Sequence, residues 1–151
     1  MHIATRSDKL ILSSENQTKE LSNKILIKLK PGNIIFLYGE IGVGKTTLIR
    51  HLINGFQKEN GLRITEVTSP TFNLLNEYQI NKLKINHYDL FRCKSSEEVK
   101  NLGLFHDCSN AITFIEWPQI INHKPKNLIE LKFEYEDNYQ KRSVQLKGIN
   151  L

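Results

Sequence analysis

The chain has 151 residues, of which 39% are hydrophobic and 25% are charged, and these values are typical of one folded domain with its own core. No apolar run approaches the ~20 residues that a membrane-spanning helix needs, which argues against a membrane protein. The net charge of +5 weakly favours a polyanionic partner such as RNA, but the lysines are scattered, and charge alone favours an ordinary solvated surface.

The N-terminus and the two cysteines bear on where the protein works. No sustained apolar core follows the first charges of MHIATRSDKLILSS, so we expect no secretory signal and a cytoplasmic protein. Cys93 and Cys108 fit neither a CxxC redox pair nor a zinc knuckle. We therefore expect two free thiols without a chemical role.

The first third of the chain predicts two helices around a buried strand. Apolar residues recur every four positions in 15–30, which predicts an amphipathic helix that ends at Pro31-Gly32. The apolar run NIIFLY at 33–38 is typical of a fully buried strand. Apolar residues recur at helical spacing again from Lys45 to about Phe56, which predicts the second helix.

The rest of the chain predicts further strands and one more helix. Strands are predicted at 64–67, 72–78, 84–90 and 111–115. A helix is predicted to begin at Ser95-Ser96 and to end near Gly103. Apolar and polar residues alternate around an acidic turn at 136–138, which predicts a β-hairpin near the C-terminus. The pattern predicts one α/β domain over residues 1–151, with three layers, a mostly parallel sheet and an antiparallel C-terminal hairpin.

The residues between the first strand and the second helix fit a phosphate-binding motif. GEIGVGKT at 39–46 matches G-x-x-x-x-G-K-[ST] in full. The glycines let several backbone N–H groups point at phosphate oxygens, and the helix N-terminus adds to the attraction. Lys45 is predicted to bind the β- and γ-phosphates, and Thr46 to reach Mg²⁺. The predicted nucleotide-binding residues are Gly39, Glu40, Ile41, Gly42, Val43, Gly44, Lys45, Thr46 and Thr47, although Thr47 falls outside the motif and is also expected to be a helix residue.

Two carboxylates at the ends of predicted strands are candidates for the chemistry. Ligands collect at the C-terminal ends of parallel strands, so only acids at those ends can reach the phosphates. Asp89 ends KINHYD, and Glu116 follows AITFI. Either could bind Mg²⁺ while the other orients the attacking water, and the residue pattern does not choose between them. His87 is a candidate base but such a histidine is more often structural, and Arg92 could contact a phosphate or pair with Asp89.

Three further segments follow the phosphate loop in order, and together they resemble a known family. They are SPTFNLLNEY at 69–78, HYDLFR at 87–92 and IEWPQ at 115–119. With YGEIGVGKTT they resemble the TsaE (YjeE) family of bacterial P-loop ATPases from about residue 15 to residue 120. The resemblance implies a P-loop NTPase-like fold, with ATP and Mg²⁺ as cofactors.

The resemblance also implies a function and site residues. TsaE proteins are ATPases needed for threonylcarbamoyladenosine at position 37 of tRNAs that read ANN codons. They act with TsaB and TsaD, and ATP hydrolysis is thought to reset that complex, so that contact with tRNA would be indirect. The family pattern puts the Mg²⁺ ligands on Thr46 and Glu116, an essential aspartate on Asp89, a switch-like loop on 69–71 and an adenine contact on Thr18. Trp117 follows the metal-binding glutamate in the family too.

Two other protein classes share the phosphate loop. A small-molecule or nucleoside kinase usually carries several arginines in a lid, whereas the arginines here are scattered at Arg6, Arg50, Arg63, Arg92 and Arg142. A GTPase reads guanine with an Asn-Lys-x-Asp loop, and the nearest string, NKLK at 81–84, lacks the carboxylate. An ATPase is therefore the first hypothesis and a kinase the alternative.

Overall fold

A computed structural model of the chain describes residues 4–6, 9–106 and 108–151. No helix in these ranges is long and apolar enough to cross a membrane. The elements in chain order are β1 (Ala4–Arg6), β2 (Lys9–Leu12), α1 (Glu15–Leu26), β3 (Ile34–Tyr38), α2 (Lys45–Glu59), β4 (Leu75–Ile80), β5 (Leu83–Asp89), α3 (Ser96–Asn101), β6 (Ala111–Glu116), a 3₁₀ turn (Pro118–Ile120), β7 (Leu128–Glu136) and β8 (Lys141–Lys147).

One sheet contains the eight strands of the described residues, in the order β1-β2-β8-β7-β3-β6-β5-β4. The four central strands, β7, β3, β6 and β5, run parallel to one another. The outer strands pair antiparallel, with β4 at one side and β8, β2 and β1 at the other. The predicted α/β fold is confirmed. The C-terminal hairpin is not at the edge of the sheet, however, because β7 pairs with β3 on one side and β2 pairs with β8 on the other.

Helices cover both faces of the central strands. Ile35 and Leu37 of β3 point to the face that α1 and α2 cover, in the larger apolar core. Ile34 and Phe36 point to the opposite face, in a smaller core that includes Val99 of α3. A strand that is buried on both faces needs apolar residues at every position, which is why 34–37 is uninterrupted. The three predicted layers are therefore present.

Three predicted elements differ from the structure. No strand forms at 64–67, because the side chains of α2 already bind the Thr65 backbone: Gln57 Oε1 accepts its N–H at 3.2 Å and Asn54 Nδ2 donates to its carbonyl at 3.0 Å. The strand predicted at 72–78 begins only at Leu75, after Leu74 with φ +65°. The first helix ends at Leu26 rather than at Pro31. Strands β1 and β2 were not predicted from the sequence pattern.

Candidate nucleotide-binding site

The phosphate loop connects β3 to α2, and two of its glycines are required by its shape. Gly39 has φ +147°, and an added Cβ would lie 2.7 Å from Cγ1 of the buried Val43, so no other residue fits. Gly44 has φ +116° and precedes the first residue of α2, Lys45. The chain therefore turns sharply from a buried strand into a helix whose N-terminus faces the loop.

Both predicted carboxylates lie at the C-terminal ends of neighbouring parallel strands. Glu116 is the register partner of Asp89 on β5 and of Leu37 on β3. Cross-strand partners point to the same face of a sheet, which here is the face that α2 covers. Glu116 is 2% exposed and Asp89 is 6% exposed. The topology thus brings together two acids that are far apart in the sequence.

Hydroxyl groups connect the two carboxylates to the start of α2. Thr46 Oγ1 lies 3.0 Å from both Glu116 Oε1 and Oε2. The Ser69 hydroxyl donates to Asp89 Oδ2 and lies 3.5 Å from Glu116 Oε2. The Phe91 N–H donates to Asp89 Oδ1 at 3.0 Å. Both oxygens of Asp89 are therefore held in place, and Ser69 of the SPT segment links the acids.

His87 is fully buried behind Glu116. Its Nε2 lies 2.7 Å from Glu116 Oε2, and the side chain is 0% exposed. Its Nδ1 has no hydrogen-bond partner among the described residues. Because His87 does not line the cavity that contains Asp89 and Glu116, its position favours orienting Glu116 over acting as a base on bound water.

The Arg92 guanidinium lies over the Phe72 ring, 4.3 Å from its centroid. Pairing with Asp89 was one of the two roles considered for Arg92. In the parts of the chain that the structure covers, Arg92 forms no ion pair with Asp89.

The Lys45 side chain is buried and lies against its own loop. Its ammonium donates to the Gly39 carbonyl, lies 3.4 Å from the Glu40 carbonyl oxygen, and is 3.9 Å from the centroid of the Trp117 ring. Trp117 has φ +58°, so the chain turns directly after Glu116. Burial lowers the pKa of Lys45 below its usual 10.5, and the negative charges of Glu116 and Asp89 partly oppose that effect.

Two cavities flank the phosphate loop, and Gly42, Gly44 and Thr47 line both of them. The first, of about 350 Å³, is also lined by the predicted functional residues Ile41, Lys45, Thr46, Ser69, Thr71, Asp89, Glu116 and Trp117. The second, of about 250 Å³, contains Thr18 and Val43. Of the predicted loop residues, only Gly39 and Glu40 line neither cavity. The loop thus separates a carboxylate-rich cavity from one that has space for a base or a ribose.

The C-terminal hairpin of β7 and β8 contributes residues that no sequence pattern indicated. Phe133 lies against Gly39 and lines the second cavity together with Arg142. The Tyr135 hydroxyl donates to the Ile41 carbonyl at 3.1 Å, and the Arg142 guanidinium lies 5.4 Å from the centroid of the Tyr135 ring. No motif marks these residues, because only the pairing of β7 with β3 brings them to the loop.

The side chains around the first cavity suit Mg²⁺. The Thr46 hydroxyl and the Glu116 carboxylate are adjacent oxygen donors, and Asp89 is connected to them through Ser69. Mg²⁺ prefers oxygen ligands, and beside a nucleotide it takes only one or two from carboxylates, the rest being phosphate oxygens and water. Among the described residues there is no group of three or more His, Cys, Asp or Glu side chains that could hold a metal by itself. The residues present therefore fit Mg²⁺ held jointly with a nucleotide.

Comparisons with known proteins point to one family. The family described as "Threonylcarbamoyl adenosine biosynthesis protein TsaE" matches residues 12–144. A protein of Rickettsia bellii named tRNA threonylcarbamoyladenosine biosynthesis protein TsaE is 44% identical over 129 residues, which is 85% of this chain and 87% of the relative. Proteins of the same name from Rickettsia typhi and Aquifex aeolicus are 39% and 34% identical, over 92% and 91% of this chain and 94% and 93% of their own lengths.

A solved structure is similar in fold. The crystal structure of Bacillus subtilus YdiB matches with a TM-score of 0.65 over 90% of this chain and 81% of that chain. Its sequence is 21% identical, so this likeness concerns the fold alone.

Proposed function

The chain belongs to the TsaE family, and from this premise we propose that it is an ATPase required for threonylcarbamoyladenosine formation at position 37 of tRNAs that read ANN codons. The names of the relatives support the role in tRNA modification. The observation that carries the ATPase activity is the convergence of Lys45, Thr46, Asp89 and Glu116 on one cavity beside the phosphate loop. These residues supply the charges and oxygen donors that phosphoryl transfer to water needs.

In the proposed reaction, water attacks the γ-phosphorus of ATP in line with the leaving ADP. A bond forms between the water oxygen and the γ-phosphorus, and the bond from that phosphorus to the β–γ bridging oxygen breaks. ADP leaves with the electron pair of the broken bond, and the proton lost by the water passes to the solvent. Lys45 and the N–H groups of the loop would bind the phosphate oxygens. To do so, the Lys45 ammonium would exchange the Gly39 and Glu40 carbonyls for phosphate.

The two carboxylates have different surroundings, which supports different roles. Thr46 and Glu116 would hold Mg²⁺, which neutralises charge on the β- and γ-phosphates when bound. Asp89 is anchored through both of its oxygens, by Ser69 and by the Phe91 N–H. A carboxylate fixed in this way can orient the attacking water or a water bound to the metal, and we assign Asp89 that role.

TsaB and TsaD homologues are the proposed partners, and hydrolysis would reset their complex. In the part of the chain that the structure describes, no arginine lines the first cavity, so a second cation for the γ-phosphate could come from a partner. Two large apolar side chains that line it, Ile41 and Phe91, are 67% and 49% exposed. Exposed apolar clusters of this kind are typical of surfaces that bind other proteins.

Nucleotide binding is tested first, with purified protein. Trp117 is the only tryptophan and contacts Lys45, so its fluorescence should change on titration with Mg-ATP, and calorimetry gives an independent affinity. We expect ATP to bind more tightly than GTP. Preference for GTP, or no binding in either assay, would contradict an ATPase.

Turnover and partner dependence are tested next. We expect slow phosphate release by the protein alone and faster release with TsaB and TsaD, and a pull-down of both partners that differs between ATP and ADP. Equal rates with and without the partners would rule out the coupling. Transfer of phosphate to an added nucleoside or small molecule, with no free phosphate, would favour the kinase alternative.

A further inference from the structure

The phosphate loop contains a β-turn whose central peptide has two available orientations. The Val43 N–H donates to the Glu40 carbonyl at 3.2 Å, which closes a turn over residues 40–43. Gly42, at the third position, has φ +79°. A type II turn has φ of about +80° there, whereas a type I turn has about −90°, and the two differ by a flip of the central peptide. Glycine permits both signs of φ, so Gly42 alone does not lock the orientation.

Tyr135 contacts the central peptide of this turn. That peptide joins the Ile41 carbonyl to the Gly42 N–H, and the Tyr135 hydroxyl donates to the carbonyl oxygen at 3.1 Å. The carbonyl and the N–H of a trans peptide point in opposite directions. Flipping the peptide would break this hydrogen bond and turn the Gly42 N–H toward Tyr135.

The opposite side of the same peptide is where an anion would bind. Gly42 lines both cavities, and its N–H makes no hydrogen bond to a backbone carbonyl of residues 9–106 or 108–151. A backbone N–H that points away from the protein's own acceptors is a donor for phosphate. The orientation that Tyr135 holds is thus the one that leaves this donor available.

The strand that carries Tyr135 is well suited to hold the loop. Phe133 and Tyr135 are two residues apart on β7 and point to the same face. Phe133 packs against Gly39 at the start of the loop, and Tyr135 binds Ile41 within the turn. The Tyr135 ring itself has two neighbours: the Tyr139 ring, with centroids 4.7 Å apart, and the Arg142 guanidinium, 5.4 Å from the Tyr135 centroid.

We infer that Tyr135 is a positioning residue for nucleotide binding: its hydroxyl selects the type II orientation of the Ile41–Gly42 peptide and so presents the Gly42 N–H to a phosphate. This inference rests on the proposed function, because it assumes that the loop binds a nucleotide. Tyr135 does not line the cavity that contains Asp89 and Glu116, so it acts on binding and not on the reacting atoms.

The test compares Tyr135→Phe with Tyr139→Phe, each of which removes one hydroxyl and keeps the ring. ATP affinity is measured by calorimetry, kcat and KM by phosphate release, and the backbone of the nucleotide-free protein by ¹⁵N–¹H NMR. We expect Tyr135→Phe to weaken ATP binding by about 2- to 10-fold, the effect of losing one neutral hydrogen bond. KM should rise with kcat unchanged, and the Gly42 amide signal should shift or broaden. Tyr139→Phe should match the wild type in all three measurements.

The outcomes separate this inference from the proposed function. ATP binding by Tyr135→Phe that equals the wild type overturns the inference, as does weaker binding with an unmoved Gly42 signal. Failure of the wild-type protein to bind ATP contradicts the proposed function instead. In that case the NMR comparison alone decides whether Tyr135 holds the turn.

Discussion

The phosphate loop and the C-terminal hairpin meet at one site, but the sequence encodes them in different ways. The loop is a continuous motif at 39–46, and phosphate binding explains the residue type at each fixed position of that motif. The hairpin has only the alternation of any two-stranded ribbon, yet Phe133 and Arg142 line the second cavity, and Tyr135 donates a hydrogen bond to the loop. The loop residues are thus recognisable from the sequence, while the shape of the site also depends on hairpin residues that no motif marks.

The largest effect should come from the motif side. Lys45→Ala removes the one lysine that lines the first cavity among the described residues, and we expect ATP affinity to fall ~100-fold or more, because charged hydrogen bonds to phosphate are the strong ones. Calorimetry with Mg-ATP measures this. Lys84→Ala, which removes an exposed lysine paired with Glu77, is the matched control and should bind as the wild type. Tight ATP binding by Lys45→Ala would show that the motif does not carry the affinity.

Asp89→Ala should separate binding from turnover. We expect ATP affinity to stay near the wild-type value while kcat falls on the order of 10²-fold, because Asp89 is proposed to orient water. Single-turnover phosphate release measures the chemical step. Asp89→Asn is a useful companion, since it keeps an oxygen that can accept from Ser69 or from the Phe91 N–H. Normal hydrolysis by Asp89→Ala would remove Asp89 from the mechanism.

Variants of His87 test whether this residue holds Glu116 in position. His87→Leu removes one of the partners of Glu116 Oε2, and we expect the Mg²⁺ concentration that gives half-maximal ATP binding to rise about 10-fold, a typical effect for a group that orients a metal ligand. His87→Gln can still donate to Glu116 and should lie closer to the wild type. Urea unfolding of both variants shows whether the core is intact. If both variants keep the wild-type Mg²⁺ dependence, His87 does not position Glu116.

Arg142 tests the hairpin side. The guanidinium lines the second cavity with Thr18, and we expect Arg142→Gln to weaken ATP binding by about 3- to 10-fold without changing kcat. Inorganic triphosphate, which has no base or ribose, should bind equally well to the variant and the wild type if Arg142 contacts only the nucleoside. If Arg142→Gln weakens the binding of ATP and of inorganic triphosphate equally, Arg142 contacts the phosphates instead. Arg63→Gln, in the segment after α2, serves as a control.

Of these changes, a change of pH near neutrality should have the smallest effect on ATP affinity. Burial lowers the pKa of Lys45, and phosphate binding requires its protonated form, so ATP affinity should fall as pH rises through that lowered value, below the usual 10.5. The decline is absent at lower pH, where Lys45 is fully protonated. Lys45→Arg should keep its charge over the same range and lose the alkaline decline. An unchanged decline in Lys45→Arg would assign it to another group.

The sequence by itself determined the elements that depend on neighbouring residues. Three features depend only on residues close together in the sequence, so a pattern is enough to predict them: the phosphate loop, the buried strand β3 and the helix α2. Asp89 and Glu116 were predictable as strand-end acids, because parallel strands bring their C-terminal ends together. The strand predicted at 64–67 was wrong, because side chains of α2 form the hydrogen bonds that a neighbouring strand would have formed.

Only the tertiary structure decided which distant residues meet. The pairing of β7 with β3 puts Tyr135 on the phosphate loop, although 94 positions separate it from Ile41. The same folding puts His87 behind Glu116, and it puts Phe133 and Arg142 on the cavity that Thr47 lines. Strand order in a sheet is set by how the whole core packs and not by any short segment, so these contacts left no pattern in the sequence.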